Sequence, residues 1–324
     1  MNAAVVSSCD TPPTYSTFPE PIPGEGEQLV TVTAAGLHPI VRALAAGTHY
    51  GSTGQFPFIP GVDGAGRLAD GTRVFFGAAR PPYGTFAERS LASSRMLIPL
   101  PDGLDDATAA AIANPGMSSW VALTARARFV AGESVLILGA TGAAGQLSVQ
   151  IARLLGARRV VAVGRNPNVL ATLKTIGADE TIALGEPGAE ADDATLTALR
   201  AEFSQQGIDV VLDYLWGRPA ELTLQAISQK GLKIATPRIR YIQIGNSAGA
   251  TIPMSAATLR SSGLELLGSG FGSASLEQIR EALIVFLQTA AAKPFPMNIQ
   301  RVPLSEIASV WSSARDGARI VFEP

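Results

Sequence analysis

Three glycines spaced three residues apart, Gly139, Gly142 and Gly145, are the residues whose type and spacing most clearly indicate chemistry. The apolar run "SVLIL" precedes them and a segment of helical pattern follows at once. Between a strand and a helix, glycines permit a tight turn and let backbone N–H groups approach a phosphate at the helix N-terminus. The pattern therefore predicts a loop that binds a dinucleotide phosphate; the alternative is that small residues only let strand and helix pack closely. The predicted cofactor contacts in this loop are Thr141, Gly142, Ala143 and Ala144.

The end of the next apolar run, "VVAVGRNP", indicates which dinucleotide is bound. An NAD site usually has Asp or Glu at this point, which accepts a hydrogen bond from the ribose 2′-hydroxyl. Here the run ends in Gly164, Arg165 and Asn166 without a carboxylate. A guanidinium offers a fork of donors to a 2′-phosphate, so these three residues are predicted to bind the cofactor and NADPH is favoured over NADH. The alternative for Arg165 is an ordinary surface arginine.

The elements around these residues predict two kinds of sheet. The first hundred residues contain short strand-like runs, such as 28–37 and 71–78, broken by many prolines and glycines, which is typical of a barrel or a sandwich. Beyond residue 100, apolar runs alternate with helical segments predicted over 143–155 and 168–176. This alternation predicts a doubly wound parallel α/β sheet. A further helix is predicted over 275–292, with a capping box at its start.

Composition excludes several classes of function. The 324 residues suffice for two domains, and the formal net charge of −2 comes without a basic block, so we expect no nucleic-acid partner. A single cysteine, Cys9, allows no internal disulfide. We expect no membrane span and no signal peptide, and hence a soluble cytoplasmic protein.

Several motifs in order resemble the medium-chain dehydrogenase/reductase superfamily, in its zinc-independent quinone oxidoreductase-like branch. They are "PFIPGVDGAGRL", "YGTFAERS", "LPDGLDDATAAAIANPGMSSWVAL", "GESVLILGATGAAGQLSVQIARLLGA", "VVAVGRNP", "IDVVLDYLWG" and "VPLSEIASVWSSARDGARIVFEP". The resemblance implies a GroES-like β-barrel domain formed by residues 1–111 and 270–324, and a Rossmann NADPH-binding domain formed by residues 112–269. It also implies an active site in the interdomain cleft and a homodimer, often formed through the last Rossmann strand, here "LELLGS" (264–269).

The resemblance implies further cofactor contacts, spread along the chain. Those near the nicotinamide and its ribose, or near its carboxamide, are Asn114, Met117, Ser118, Gly245, Asn246, Ser247, Gly270 and Phe271. Arg319 in the closing strand is a further cofactor contact by the same resemblance; its alternative is an ordinary charge on the barrel surface.

The same resemblance argues against zinc. Zinc-dependent relatives have a cysteine near the position of His38 and a His-Glu pair in "PGHE", where this chain has "PGVD" with Val62 and Asp63. A site built from His38, His49 and Asp63 is the alternative, but a catalytic zinc needs three well-spaced ligands and an open position. We therefore predict no metal.

Without a metal, the predicted chemistry is hydride transfer from NADPH to a small-molecule electrophile, a quinone or an α,β-unsaturated carbonyl. The developing negative charge falls on an oxygen, so a nearby hydrogen-bond donor is sufficient. His38 and Tyr50 are the candidate catalytic donors. The alternatives are that His38 is a hydrogen-bonded loop residue, that Tyr50 lines an apolar pocket, and that Asp63 pairs with Arg42 or another cation.

Two other functions stay open at this point. One is a non-catalytic NADPH-binding protein, a redox sensor or a structural protein. The other is an alcohol dehydrogenase-like enzyme that has lost or replaced its metal.

Overall fold

A computed structural model describes residues 1–77, 79–186, 188–228, 237–313 and 318–324 of the chain. Ala78, the last residue of one predicted strand, and residues 314–317 of the closing motif lie outside these ranges. The chain divides into two compact units. Unit 1 comprises Met1–Asn114 and Leu283–Pro324, and unit 2 comprises Pro115–Ala282. No helix within the described ranges combines the length and the hydropathy needed to cross a bilayer.

The strands and α-helices are numbered in the order in which they occur along the chain. The strands are β1 (Asn2–Val5), β2 (Thr14–Thr17), β3 (Glu27–Gly36), β4 (Asp63–Arg67), β5 (Arg73–Gly77), β6 (Arg89–Ser93), β7 (Leu97–Pro99), β8 (Ser134–Leu138), β9 (Arg159–Gly164), β10 (Glu180–Ala183), β11 (Val210–Asp213), β12 (Arg238–Gln243), β13 (Gly263–Gly268), β14 (Ile299–Pro303) and β15 (Arg319–Glu323). The α-helices are α1 (Pro39–Ala45), α2 (Asp106–Val121), α3 (Ala143–Leu154), α4 (Pro167–Leu173), α5 (Ala189–Ala201), α6 (Gly217–Ile227), α7 (Ala256–Arg260), α8 (Leu276–Ala292) and α9 (Ile307–Val310).

The sheet of unit 2 is parallel, with the strand order β10-β9-β8-β11-β12-β13. All five residues of β8 are buried, as expected for a strand covered on both faces. The order is that of a Rossmann fold, whose switch point lies between β8 and β11. The predicted α/β class is therefore confirmed, and α3 and α4 lie where helices were predicted. The predicted second helix ends earlier, because residues 174–176 form a 3₁₀ turn.

Unit 1 contains a mixed sheet of seven strands, in the order β14-β15-β3-β4-β5-β7, with β6 also pairing with β3. The long strand β3 pairs antiparallel with β4, β6 and β15, whereas β14 and β15 run parallel. Its apolar core includes Phe76, Phe86 and Phe322, and the last two rings meet edge to face with centroids 5.1 Å apart. Most strand pairs of this sheet are antiparallel, unlike those of unit 2. This agrees with the prediction of a separate β-rich domain.

The start of α8 confirms the predicted capping box. The backbone N–H of Gln278 donates to Ser275 Oγ at 3.1 Å, and the backbone N–H of Ser275 donates to Gln278 Oε1 at 2.9 Å. This reciprocal pair satisfies backbone donors that the first helical turn leaves open, so the helix begins where the sequence pattern places it.

Candidate functional site

The glycine loop begins with a reversal of the backbone directly after β8. Gly139 has φ of +86°, which a residue without Cβ adopts at little cost. The backbone N–H groups of Gly139 and Ala140 both donate to the carbonyl of Val163 in β9, each at 2.9 Å. These bonds hold the loop at the carboxyl end of the sheet.

The N-terminus of α3 follows this reversal. Gly142 is the N-cap residue and contributes no side-chain cap, and Ala143 begins the helix. A Cβ on Gly145 would lie 2.3 Å from the Gly139 carbonyl oxygen, so the third glycine is required for close packing of helix and loop. A Cβ on Gly142 would approach only the Gly139 oxygen, at 3.4 Å, and this residue is exposed. The backbone N–H of Gly142 donates to the Gly139 carbonyl at 3.0 Å, so the N–H groups open to the pyrophosphate of a dinucleotide are those of the first turn of α3.

The end of β9 lies against the same loop. A Cβ on Gly164 would lie 2.5 Å from Thr141 Cγ2, so two predicted cofactor contacts are neighbours. Arg165 is exposed, and its guanidinium has no hydrogen-bond partner among the residues that the structure describes. Asn166 caps α4, since its Oδ1 accepts from the backbone N–H groups of residues 168 and 169 at 3.0 and 3.2 Å. The group that Asn166 retains for a phosphate is its Nδ2 amide.

The turn after β11 contains a residue that the sequence analysis missed as a site residue, Tyr214. Asp213 holds this turn: its Oδ1 accepts from the N–H groups of Leu215 and Trp216, at 2.7 and 2.9 Å. Its Oδ2 accepts from the hydroxyl of Tyr241 at 2.7 Å. Burial raises the pKa of Asp213, although the hydrogen bonds from Trp216, Tyr241 and Leu215 lower it. Burial also raises the pKa of Tyr241 well above its ordinary value, and the neighbouring carboxyl adds to this shift.

Tyr214 joins two buried serines to form what we call the hydroxyl cluster, Ser119, Ser148 and Tyr214. The Tyr214 hydroxyl lies 2.9 Å from Ser119 Oγ and 3.0 Å from Ser148 Oγ, and the two serine oxygens are 2.8 Å apart. Burial raises the pKa of Tyr214, although the serine hydrogen bonds lower it. Ser118 lies at the margin, 3.5 Å from the phenol oxygen, and donates to the Pro115 carbonyl at 2.8 Å. The sequence feature that could have identified Tyr214 as a site residue is its position directly after a strand at the switch point of the sheet.

The loop after β12 also meets Tyr214. Ser247 Oγ donates to the Tyr214 carbonyl at 3.0 Å, and a Cβ on Gly245 would lie 2.8 Å from that oxygen. The backbone carbonyl of Asn246 accepts from Gly249 at 3.2 Å. The structure thus brings the predicted residues Gly245 and Ser247 to the turn after β11.

The residues after β13 are arranged differently. The backbone N–H of Gly270 donates to Ser273 Oγ at 2.7 Å, so this group is engaged within its own turn. Phe271 is exposed, and Met117 in α2 is half-buried. Their predicted contacts with a cofactor stay predictions.

Unit 1 contains a second polar group, which we call the buried polar chain: Arg319, His38, Asp63 and Asn114. His38 Nε2 lies 2.8 Å from Asp63 Oδ1, and Asn114 Nδ2 donates to Asp63 Oδ2 at 2.7 Å. A guanidinium nitrogen of Arg319 contacts His38 Nδ1. The solvent-exposed fractions of His38, Asp63 and Arg319 are 1%, 5% and 5%, and Asn114 is half-buried. Four elements or their ends supply these side chains, so the chain is a property of the fold and not of one motif.

This arrangement bears on the roles predicted for His38 and Arg319. Both ring nitrogens of His38 are occupied, one by Asp63 and one by Arg319, so the ring does not present a free donor. Arg319 is buried and also donates to the Ala111 carbonyl at 3.3 Å, which is not the geometry of a surface charge. The side chain in direct contact with the Asp63 carboxylate is His38 and not Arg42.

Tyr50 lies apart from this chain. Its side chain is 79% exposed, and its ring stacks on His49 with centroids 4.1 Å apart. Within the described ranges, no hydrogen bond reaches its hydroxyl, so its predicted catalytic role stays a prediction. Within the same ranges, no group of three or more His, Cys, Asp or Glu side chains is arranged to hold a metal ion.

Comparisons with known proteins agree with this architecture. Residues 143–288 match the family model described as zinc-binding dehydrogenase. The chain is 29% identical to a probable NADPH-dependent quinone reductase, tdiC, of Emericella nidulans, over all of both chains. It is 30% identical to the quinone oxidoreductase of Pongo abelii, over 69% of this chain and 68% of that protein. Among solved structures, it is similar to the quinone oxidoreductase from Thermus thermophilus, which was also solved in complex with NADPH. That match has a TM-score of 0.80 and 28% identity, and it covers both chains completely.

Proposed function

Because this chain belongs to the medium-chain dehydrogenase/reductase superfamily, in its quinone oxidoreductase-like branch, we propose that it reduces quinones or α,β-unsaturated carbonyls with NADPH and without zinc. That it is an oxidoreductase with a nicotinamide cofactor follows from the family. The observation that carries the finer proposal is the open glycine loop beside an exposed Arg165 with no carboxylate at the end of β9.

The residues at the carboxyl end of the parallel sheet would hold the cofactor. The N–H groups at the start of α3 would bind the pyrophosphate, because they combine open donors with the positive end of the helix dipole. Gly139 and Gly164 let the loop pack closely, because a Cβ on them would lie 3.1 Å from Leu215 Cδ2 and 2.5 Å from Thr141 Cγ2. Arg165, with the Nδ2 amide of Asn166, would bind the 2′-phosphate. We assign this role to the predicted domain of residues 112–269, and substrate binding to residues 1–111 and 270–324.

Bound NADPH would supply the hydride, two electrons with one hydrogen nucleus, and become NADP⁺. A quinone gains that pair, and its negative oxygen then takes one proton from solvent water to give the hydroquinone. An enone gains the hydride at its β carbon, and the α carbon of the resulting enolate takes one proton from water to give the saturated ketone. The protein must hold the electrophile in an orientation that allows hydride transfer, and it must stabilise the negative oxygen.

The donor set argues for metal-free chemistry. His38 already binds Asp63 and Arg319 through its two ring nitrogens. Val62 offers no donor atom, and the amide nitrogen of Asn114 donates to Asp63. Binding zinc here would require breaking bonds between buried groups, so these residues do not fit a zinc site.

A homodimer is also proposed. Within the described residues, β13 is an edge strand that pairs with β12, and Leu266 on it is 36% exposed. An apolar edge strand needs cover, and pairing with a second copy would supply it. Sedimentation equilibrium tests this proposal, and a monomer at micromolar concentration would contradict it.

A panel of acceptors tests the proposed reaction. The purified protein should oxidise NADPH in the presence of a quinone or an enone, and not with simple aldehydes alone. Tight NADPH binding without turnover on any electrophile would favour the non-catalytic alternative. Stoichiometric zinc in the purified protein would favour the alcohol dehydrogenase-like alternative.

Arg165→Ala tests the cofactor assignment. Loss of a charge-assisted hydrogen bond to phosphate should raise the Kd for NADPH roughly 10- to 100-fold and leave that for NADH nearly unchanged. Cofactor fluorescence measures both values. Arg260→Ala, an exposed arginine on α7, is the matched control and should change neither. Equal losses for the two cofactors would refute the 2′-phosphate assignment.

A further inference from the structure

The contacts between the four members of the buried polar chain indicate which groups donate hydrogen bonds. A guanidinium is always protonated and only donates, so His38 Nδ1 must accept from Arg319. The remaining ring hydrogen is then on Nε2, which donates to the Asp63 carboxylate at 2.8 Å. The other carboxylate oxygen accepts from the Asn114 amide at 2.7 Å.

Each hydrogen bond of this chain therefore restricts the orientation of the next side chain. The Asp63 carboxylate and the Arg319 guanidinium face the imidazole from β4 and β15, at opposite ring nitrogens. With Nδ1 occupied by a donor, the ring cannot take a second proton unless Arg319 moves away. These contacts favour the neutral Nε2–H tautomer of His38, whose hydrogen bond orients the Asp63 carboxylate.

Asn114 is the end of the chain that reaches accessible surface. The other three members are at most 5% exposed, whereas Asn114 is half-buried. An asparagine amide has two N–H donors, and Asp63 accepts one of them. The second N–H has no partner among the residues that the structure describes. A hydrogen-bond donor at the accessible end of a buried hydrogen-bonded chain suits an oxygen atom that becomes negative during a reaction.

We propose that Asn114 donates a hydrogen bond to the carbonyl oxygen of the electrophile, and that Arg319, His38 and Asp63 position its amide. This inference rests on the proposed function for the identity of that oxygen. It replaces His38 as the donor: the imidazole is a positioning residue, and Asn114 is the residue that touches substrate. No proton leaves the chain, because the reduced electrophile is protonated by water.

The state of His38 can be measured directly, without cofactor or substrate. The chain contains two histidines, so ¹⁵N-histidine spectra of the wild type and of His49→Asn assign both. His38 should keep the neutral Nε2–H tautomer from about pH 5.5 to about pH 8, where a free imidazole would titrate. His49 should titrate in the same sample, below its ordinary value of 6.5, because burial lowers its pKa. Titration of His38 in the wild type would overturn the proposal.

Substitution of Arg319 separates positioning from simple structural support. Arg319→Met removes the donor to Nδ1, so His38 should begin to titrate and kcat/KM should acquire a pH dependence near neutrality that the wild type lacks. Arg319→Lys retains a cationic donor and should restore the flat profile. A flat profile in Arg319→Met, with a folded protein by circular dichroism, would contradict the positioning role.

Asn114→Ala tests the contact with substrate. Loss of one donor to a negative oxygen should lower kcat/KM for a quinone roughly 100-fold, a larger factor than any change in the Kd for NADPH. Asn168→Ala, at an exposed position of α4, is the control and should match the wild type. An unchanged kcat/KM, or a loss that appears only in NADPH affinity, would overturn the proposal.

A binding measurement distinguishes this inference from the proposed function. 4-Nitrophenolate resembles the negative oxygen and undergoes no reduction by NADP⁺. Its Kd for the NADP⁺ complex, measured by absorbance, should rise roughly 10- to 100-fold in Asn114→Ala. If this occurs while the wild type fails to reduce any quinone, the proposed reaction is wrong and the Asn114 site stands. Equal Kd values, or no binding by the wild type, would overturn the Asn114 assignment.

Discussion

The buried polar chain of unit 1 and the hydroxyl cluster of unit 2 bury polar side chains in opposite ways. The chain contains a cation, an anion and two neutral groups, and each of its hydrogen bonds has one possible direction. The cluster contains three neutral hydroxyls within 3.0 Å of each other, and each hydroxyl can donate or accept.

This difference predicts different tolerance to change. Removing one member of the chain breaks hydrogen bonds of fixed direction between buried groups, which the remaining members cannot replace by rotating. Removing one hydroxyl from the cluster leaves two others that can rotate and pair with each other. The chain should therefore be rigid and sensitive, and the cluster adaptable, although both are buried.

Asp63→Ala should have the largest effect. It leaves the Nε2–H group of His38 and the amide N–H of Asn114 without the carboxylate that accepts from both. A buried donor left without an acceptor costs about 1–3 kcal/mol, so loss of the acceptor for two donors should be measurable by urea unfolding. Glu323→Ala is the control in the same unit, because the Arg301–Glu323 pair is exposed and should contribute less than about 1 kcal/mol. Similar losses for the two variants would break the comparison.

Tyr214→Phe should have a smaller effect. It removes the phenol oxygen, but Ser119 and Ser148 are 2.8 Å apart and can still pair. We expect a loss of about 1 kcal/mol in the free energy of unfolding. Tyr241→Phe makes the same chemical change, but it removes the hydroxyl that donates to Asp213 and should cost more. If Tyr214→Phe were as costly as Asp63→Ala, the cluster would not be adaptable.

Asp213 sharpens the comparison, since it is a buried carboxylate whose described partners, Tyr241 and two backbone N–H groups, are neutral. Burial raises its pKa in the folded protein above the ordinary 3.8, despite those hydrogen bonds. The folded state then holds the proton more tightly than the unfolded chain does. The free energy of unfolding therefore falls as pH rises from about 3.8 through the raised pKa, and stays lower above it.

Asp213→Asn should remove this component, because the amide retains an acceptor for the turn and a second polar atom for Tyr241. Urea unfolding of both proteins from about pH 4 to about pH 8 gives the difference. The free energy of unfolding of the variant, relative to that of the wild type, should increase as pH rises. A difference that is constant with pH would contradict the assigned role of burial.

Short-range features were predictable from the sequence because neighbouring residues determine them. The glycine loop, its flanking strand and helix, and the capping box of Ser275 and Gln278 depend on backbone conformation within a few residues. The buried polar chain was not predictable in this way, because its members are distant: His38 and Arg319 are 281 residues apart. The sequence indicated that both residues matter, but not that they contact each other.

Tyr214 was missed for a related reason. Its partners, Ser119 and Ser148, come from two different helices that precede it by 95 and 66 residues. Nothing local to "VVLDYLWG" reveals them. The strand order does indicate the place, since the turn after β11 lies at the switch point of the sheet, so a polar residue there merits attention even without a motif.

Quinone-dependent oxidation of NADPH tests the central claim most directly, namely metal-free hydride transfer by this chain. Initial rates are measured on purified protein with and without prior EDTA treatment, with metal content determined in the same samples. We predict quinone-dependent loss of NADPH absorbance that is faster than with NADH and unchanged by EDTA. Rates no higher than the protein-free blank, or activity that is lost with EDTA and restored by zinc, would contradict the claim.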